Sequence, residues 1–180
     1  MSGIEREGER MGVLVEDLLL LARLDEGRPL ERKAVDLDQV AGEAVETART
    51  VEPGRPIELA VEPAVVLGDR ERLRQVVDNL LNNIRMHTPP GVPARVRVTA
   101  SNGNAVLEVS DAGPGMSAEA AERVFERFYR ADASRSRTRG GVGLGLSIVA
   151  AVAEAHGGTA SARSEPGQGA TFRITLPLRN

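Results

Sequence analysis

From Ile4 to about Asp25 apolar residues recur at three- and four-residue steps. Met11, Leu14, Leu18 and Leu21 form the stripe, with Glu or Arg elsewhere, which predicts an amphipathic helix. The run Leu18 to Leu21 widens that stripe, and a helix so widened needs a partner because an isolated helix gains little stability in water. Packing on its own domain would cover it, but half of a helical hairpin or dimer bundle is the preferred setting. Gly27, Arg28 and Pro29 then break the pattern and mark a junction. Asp36 is placed to cap a second helix reaching about Val51, with Leu37, Val40, Ala41, Ala44, Val45 and Ala48 inward. Short β patterns follow at Ile57 to Val61 and Val65 to Leu67, before Asp69 opens a third helix reaching Met86.

Alternating stretches at Ala94 to Ala100 and Ala105 to Ser110 flank Ser101-Asn102-Gly103-Asn104, a hairpin turn. Helical patterns resume from Ser117 to about Tyr129 and from Gly143 to about Ala155. Between them Arg130 to Gly140 has no apolar period and is expected as a mobile surface loop. Strands near Thr159 to Ser164 and Ala170 to Pro177 close the chain around Glu165 to Gly169. Helices alternate with hairpins rather than single strands. The expected class is therefore α+β: a two-layer α/β sandwich with a mixed, mostly antiparallel sheet and about three packed helices, preceded by one amphipathic helix. The division is 1–28 for that helix and 29–180 for the sandwich.

Composition narrows the function. A chain of 180 residues suits one core plus an appendage. Its hydrophobic fraction is 41% but its aromatic fraction only 2%, so the core is aliphatic and base stacking on aromatic platforms is unexpected. A net charge of −3, with basic residues dispersed, argues against nucleic acid as a partner. With no cysteine and two histidines, a disulfide framework, a thiolate metal site and a multi-histidine zinc site are all unexpected. No apolar run approaches the roughly 20 residues that span a bilayer, so the chain reads as cytoplasmic, with any anchor of a parent protein elsewhere.

Three segments carry candidate chemistry. On the third helix Leu73, Val76, Val77, Leu80, Leu81 and Ile84 form the inward stripe, and Asn79, Asn83 and Met86 fall within roughly 60° of one another beside it. One line of the helix thus presents two amide oxygens, which suit Mg²⁺ together with phosphate oxygens and water. A single Asn there would more often be solvated or capping. Asp111-Ala112-Gly113-Pro114-Gly115 leaves a strand; it is either an ordinary turn or a place where backbone approaches a flat base while the carboxylate accepts from an exocyclic amine. Gly140 to Gly145 holds four glycines before an apolar helix, whose unpaired N–H groups and positive end suit phosphate. No Lys-Ser/Thr follows the last glycine, so this is not a P-loop; a hinge is the plainer alternative. Arg135, Arg137 and Arg139 precede the glycines and could close over a triphosphate. The three segments together point to Mg-ATP.

These residues resemble the catalytic ATP-binding domain of bacterial sensor histidine kinases, within the superfamily that includes gyrase and heat-shock chaperone ATPases. Gln75 to Thr88 is similar to the family's N box, Asp111 to Gly115 to its first glycine box, Phe125 to Tyr129 to its F box and Gly141 to Leu146 to its second glycine box. His156-Gly157-Gly158 and Pro166 to Phe172 match its closing segments, so the resemblance covers about residues 36 to 178. It implies a Mg²⁺ ligand at Asn83, a phosphate or metal-shell residue at Asn79, and Asp111 on the adenine amine with Gly113 and Gly115 shaping the base pocket. Gly141, Gly143 and Gly145 would contact phosphate, Leu144 and Leu146 would pack the lid's return, and His87 and Arg137 complete the implied nucleotide set. Phe125 and Phe128 would anchor the lid. Residues 1 to 25 resemble the second helix of the family's dimerisation and phosphoacceptor hairpin.

The implied cofactors are ATP and Mg²⁺. The implied partners are the histidine-bearing helix of a membrane-anchored, homodimeric parent and a response regulator. Two departures stand out. Ile84 and Met86 occupy positions where the family usually has Ala and Lys, and Arg85 lies about 100° round the helix, so a cation expected near the phosphates is missing. The phosphorylated histidine belongs on the hairpin's first helix, and neither His87 nor His156 is placed to be it. ATP hydrolysis, with Asp78 or Glu71 activating water, and a non-catalytic module with a degenerate site are the alternatives.

Overall fold

A computed structural model describes residues 3–27, 30–130 and 143–179. The elements are α1 (Gly3–Asp25), β1 (Lys33–Asp36), α2 (Leu37–Val51), β2 (Ile57–Val61), β3 (Val65–Gly68), α3 (Arg70–His87), β4 (Ala94–Ser101), β5 (Asn104–Asp111), α4 (Ala118–Arg123), α5 (Gly145–Ala155), β6 (Thr159–Ser164) and β7 (Ala170–Pro177). Five strands form one sheet in the order β2-β4-β5-β7-β6. Only β2 and β4 run parallel in it. A parallel pair needs a crossover, and the segment holding β3 and α3 supplies it.

The alternation read from sequence sets the layers. Ala94, Val96 and Val98 of β4, Ala105, Leu107 and Val109 of β5, and Phe172, Ile174 and Leu176 of β7 point into the core, where α2, α3 and α5 cover them. The opposite face is polar, with cross-strand pairs Arg95–Glu58 and Arg173–Glu108 at 2.8 and 2.6 Å. A mixed, mainly antiparallel sheet with one covered face is the expected α+β sandwich. The β4–β5 hairpin closes through Asn102 and Gly103, both at positive φ (51° and 77°), the backbone that an Asn-Gly turn provides.

Four details differ from the sequence reading. Lys33–Asp36 is a strand, pairing antiparallel with β3 in a separate two-stranded sheet; its four residues are too few to show a period. Asp36 occupies the cap position of α2 but makes no side-chain cap bond; it is committed to β1, and Asp38 instead accepts from the Ala64 N–H at 3.2 Å. The helix expected over Ser117 to Tyr129 ends at Arg123. Phe128 has φ of 60° and its N–H donates to the Gly143 carbonyl at 3.0 Å, so the chain is turned by a tertiary bond that periodicity cannot reveal. Finally, α5 starts at Gly145 rather than Gly143, which has φ of 81°. Of the expected surface loop, all but Arg130 lies outside the described residues.

Candidate functional site

The site is organised around α3. Asp69 caps it, accepting from the Arg72 N–H at 3.1 Å, and Leu73, Val76, Val77, Leu80, Leu81 and Ile84 seat its inner face. This burial leaves Asn79 and Asn83 on the edge toward α5 and the first glycine turn. The Asn79 side-chain amide donates to the Gly145 carbonyl at 3.1 Å, tying the middle of α3 to the first residue of α5. That helix begins without a side-chain cap, so its leading N–H groups have no capping side chain to satisfy them. Gly143 accepts the Phe128 N–H, which brings the F-box turn to the same corner. Phe125 stands edge-on against the core ring of Phe172, 6.4 Å between centroids.

One turn further along α3, Asn83 and His87 line a cavity of about 40 Å³ with Asp111, Thr88, Pro114, Gly115 and Met116, floored by Ile84, Ala170 and Phe172. Asp111 ends β5. Its Oδ1 accepts the Gly113 N–H at 2.8 Å. Burial raises its carboxyl above the ordinary 3.8, while the N–H groups of Gly113 and Ala170 and the charges of Arg55 and His87 pull it back. Gly115 has φ of 66°, and an added Cβ would strike the Glu165 carbonyl. That glycine is required by the abutting turn of its own chain, whatever occupies the cavity.

Asn79, Asn83, His87, Asp111, Gly113, Gly115, Gly143, Leu144, Gly145 and Leu146 are therefore gathered along one edge of α3 and the two glycine segments facing it. Leu144 is buried and Leu146 half-buried, both packed in the core. Arg137 and Gly141, like Arg135 and Arg139, lie outside the described residues. Ile84 is a core residue at 1% exposure, so its departure from the family pattern is a matter of packing. Arg85 donates to Asn82 at 2.8 Å and lines a different, largely apolar cleft of about 220 Å³ between α2 and α3, so it does not replace a lysine at Met86. Asp78 lines that same cleft and is paired with Arg74 at 3.0 Å, which removes it from the site. Among the described residues no group of three or more His, Asp or Glu could hold a metal ion by itself. A cation here would draw on Asn83, phosphate oxygens and water, a donor set that fits Mg²⁺.

Sequence reasoning missed Arg55 and the pocket role of Thr88. Arg55 sits in a Gly-Arg-Pro loop with no period; only its spacing from Glu52 hinted at a pair. His156 has both ring nitrogens engaged: Nε2 accepts the Asp69 N–H at 3.0 Å and Nδ1 lies 2.7 Å from the Val152 carbonyl.

The family model described as histidine kinase-, DNA gyrase B- and HSP90-like ATPase matches residues 68–180. The probable sensor histidine kinase TcrY of Mycobacterium tuberculosis is 50% identical over 180 residues, 99% of this chain and 38% of its own length. Sensor histidine kinase TrcS of the same organism is 42% identical over 185 residues, 99% of this chain and 36% of its own. The chain thus spans well under half of these relatives. Among solved structures, a mycobacterial sensor histidine kinase, MprB, superimposes with a TM-score of 0.73 at 33% identity, over 82% of this chain and 98% of that one. Full-length ShkA in complex with AMPPNP gives 0.82 at 30% identity, over 97% of this chain and 37% of that one.

Proposed function

Since the chain belongs to the family of histidine kinase-, DNA gyrase B- and HSP90-like ATPases, we propose that it is the Mg-ATP-binding domain of a sensor histidine kinase. The observation that carries this reading is the pair Asn79 and Asn83 on one edge of α3. The first is bonded to the start of α5 and the second faces the Asp111 cavity, so one helix spans the positions for phosphate and for base. Asp111 accepts from the adenine amine. The leading N–H groups of α5 hold phosphate oxygens, as helix N-termini do for anions. Asn83 offers its amide oxygen to Mg²⁺, which, when bound, neutralises charge on the β- and γ-phosphates.

In the whole protein a histidine nitrogen attacks the γ-phosphorus and the bond to the β,γ-bridging oxygen breaks, releasing ADP; a response-regulator aspartate then takes the phosphoryl group. This chain's residues supply positioning and charge complementarity rather than a nucleophile. Neither of its histidines accepts phosphate, so the chain alone does not autophosphorylate. The parent is a membrane-anchored homodimer with this domain on the cytoplasmic side; among the described residues themselves no helix is long and apolar enough to cross a membrane.

The test is calorimetric titration with a non-hydrolysable ATP analogue, with and without Mg²⁺, beside Asn83→Ala. Saturable binding strengthened by Mg²⁺, with that strengthening lost in the variant, is expected. Absence of binding at millimolar ligand would overturn the reading.

A further inference from the structure

Arg55 is the single Asp, Glu, Lys or Arg among the described residues that is buried. It follows α2, remote in sequence from every motif above. Its guanidinium donates five hydrogen bonds: Nε to Glu52 Oε2 at 2.8 Å, Nη2 to Glu52 Oε1 at 3.2 Å and to the Pro89 carbonyl at 3.2 Å, and Nη1 to Thr88 Oγ1 at 2.8 Å and the Val92 carbonyl at 2.7 Å. Every donor of the fork is used, and the Glu52 carboxylate neutralises the charge. Three of the acceptors lie on the segment that leaves α3 for β4. A buried arginine so fully spent on one connection fixes that connection's shape.

The connection frames the cavity. The Thr88 hydroxyl also donates to the Ile84 carbonyl at 2.8 Å. Held by one donor and one acceptor, it has a single rotamer, and its methyl is then the side-chain atom nearest Gly113, 2.6 Å from where a Cβ would stand. Pro93 accepts the Ala112 N–H at 3.2 Å, and Ala94 is registered opposite Asp111. Both ends of the segment thus abut the turn that carries the Asp111 carboxylate.

We propose that Arg55 is a positioning residue for the base pocket: by fixing the Thr88 hydroxyl it aims the methyl at Gly113, and so holds Asp111 where it selects a purine bearing an exocyclic amine over one without it. The inference rests on the nucleotide reading of the site. Burial raises the Asp111 carboxyl, and Arg55 is among the groups that partly oppose that rise.

The test compares affinities for a non-hydrolysable ATP analogue and for the matching triphosphate of purine riboside, which lacks the amine. Removing Arg55 alone strands Glu52, so the variant is Glu52→Met with Arg55→Met; Thr88→Ser, which keeps the hydroxyl and loses the methyl, needs no charge change and guards against a fold failure in the first. The wild type is expected to prefer the amine-bearing ligand, and both variants to lose about tenfold of that preference. An unchanged preference, or equal weakening toward both ligands, overturns the role of Arg55 while leaving the site intact. A wild type that binds neither ligand refutes the nucleotide reading itself, and this inference with it.

Discussion

At the scale of single residues the site holds a group that works against the fold around it. Burial lifts the Asp111 carboxyl above its ordinary 3.8, so ionising it costs the folded state more than the unfolded one. Between 3.8 and the raised value the folded chain keeps a proton that the unfolded chain has released. Stability from this group therefore increases as pH falls through that window and is at its poorest at neutral pH. Asp111→Asn keeps an oxygen for the Gly113 N–H and removes the charge. It should be at least as stable as the wild type by chemical denaturation at neutral pH, with an advantage that shrinks as pH falls and is gone below the ordinary 3.8. Adenine-nucleotide binding should fall by about tenfold or more, since Asn presents a weaker acceptor. A variant less stable than the wild type at neutral pH would refute the account of Asp111. The position was legible from sequence because an Asp followed by four small or cyclic residues, Ala112 to Gly115, at a strand end carries a signal. Arg55 was not, because its five acceptors come from segments 33 and more residues away as well as from its own loop.

At the scale of elements, two junctions tie together the segments around the site, and neither could be read from periodicity. One joins α3 to α5. His156, the C-cap of α5, accepts the Asp69 N–H that opens α3 and bonds back to Val152. Accepting at Nε2 requires the neutral ring with the proton on Nδ1. Burial lowers its pKa below 6.5, reinforced by Arg32 and opposed by the Val152 carbonyl and Asp69. A depressed folded value means that stability is full above 6.5 and declines as pH falls below it, because the unfolded imidazole protonates first. His156→Gln should be less stable at neutral pH and show a shallower decline from pH 7 to about pH 5.5; equal slopes in denaturation curves at the two pH values would refute the clip. The other junction interlocks the first glycine turn with the β6–β7 turn. Gly167 donates to the Pro114 carbonyl at 2.7 Å, Met116 donates to Ser164 Oγ at 2.8 Å, and Gly115 approaches Glu165 too closely for a side chain. Gly115→Ala must both hold φ at 66° and displace a carbonyl, at a cost of about 1 to 3 kcal/mol; a melting temperature equal to the wild type's would count against this. The strands and long helices were legible because burial follows their periods. The short α4 and the turned F box were not, because a single bond from Phe128 to Gly143 decides them.

At the scale of the whole molecule, α1 faces two ways. Its last turns belong to the body: Leu20 and Leu21 are buried, Asp17 accepts from Gln75 at 3.4 Å, and Asp25 pairs with Arg127 through both oxygens at 2.7 Å. Burying two leucines is worth about 2 kcal/mol each, more than an exposed ion pair contributes, so the leucines seat the helix and Asp25 sets its angle. Further up, Met11, Val13, Val15, Leu18 and Leu19 are all exposed, with Leu19 at 52%. Met11, Val15, Leu18 and Leu19 lie within about 100° of one another around the helix, an apolar face that water penalises and a second helix would cover. If residues 1–28 are part of a dimerisation hairpin, as their resemblance implies, two properties of this one helix separate. Substitutions at Leu18 and Leu19 act on association, whereas substitutions at Leu20 and Leu21 act on the fold. Sedimentation velocity should find the wild type in a concentration-dependent monomer–dimer equilibrium and Leu18→Glu with Leu19→Glu monomeric, its unfolding free energy changed by less than about 0.5 kcal/mol. Leu21→Ala should lower stability by about 2 to 5 kcal/mol. A wild type that stays monomeric at every concentration would sink the self-association half of this argument and leave the seating of α1 to stand or fall on Leu21.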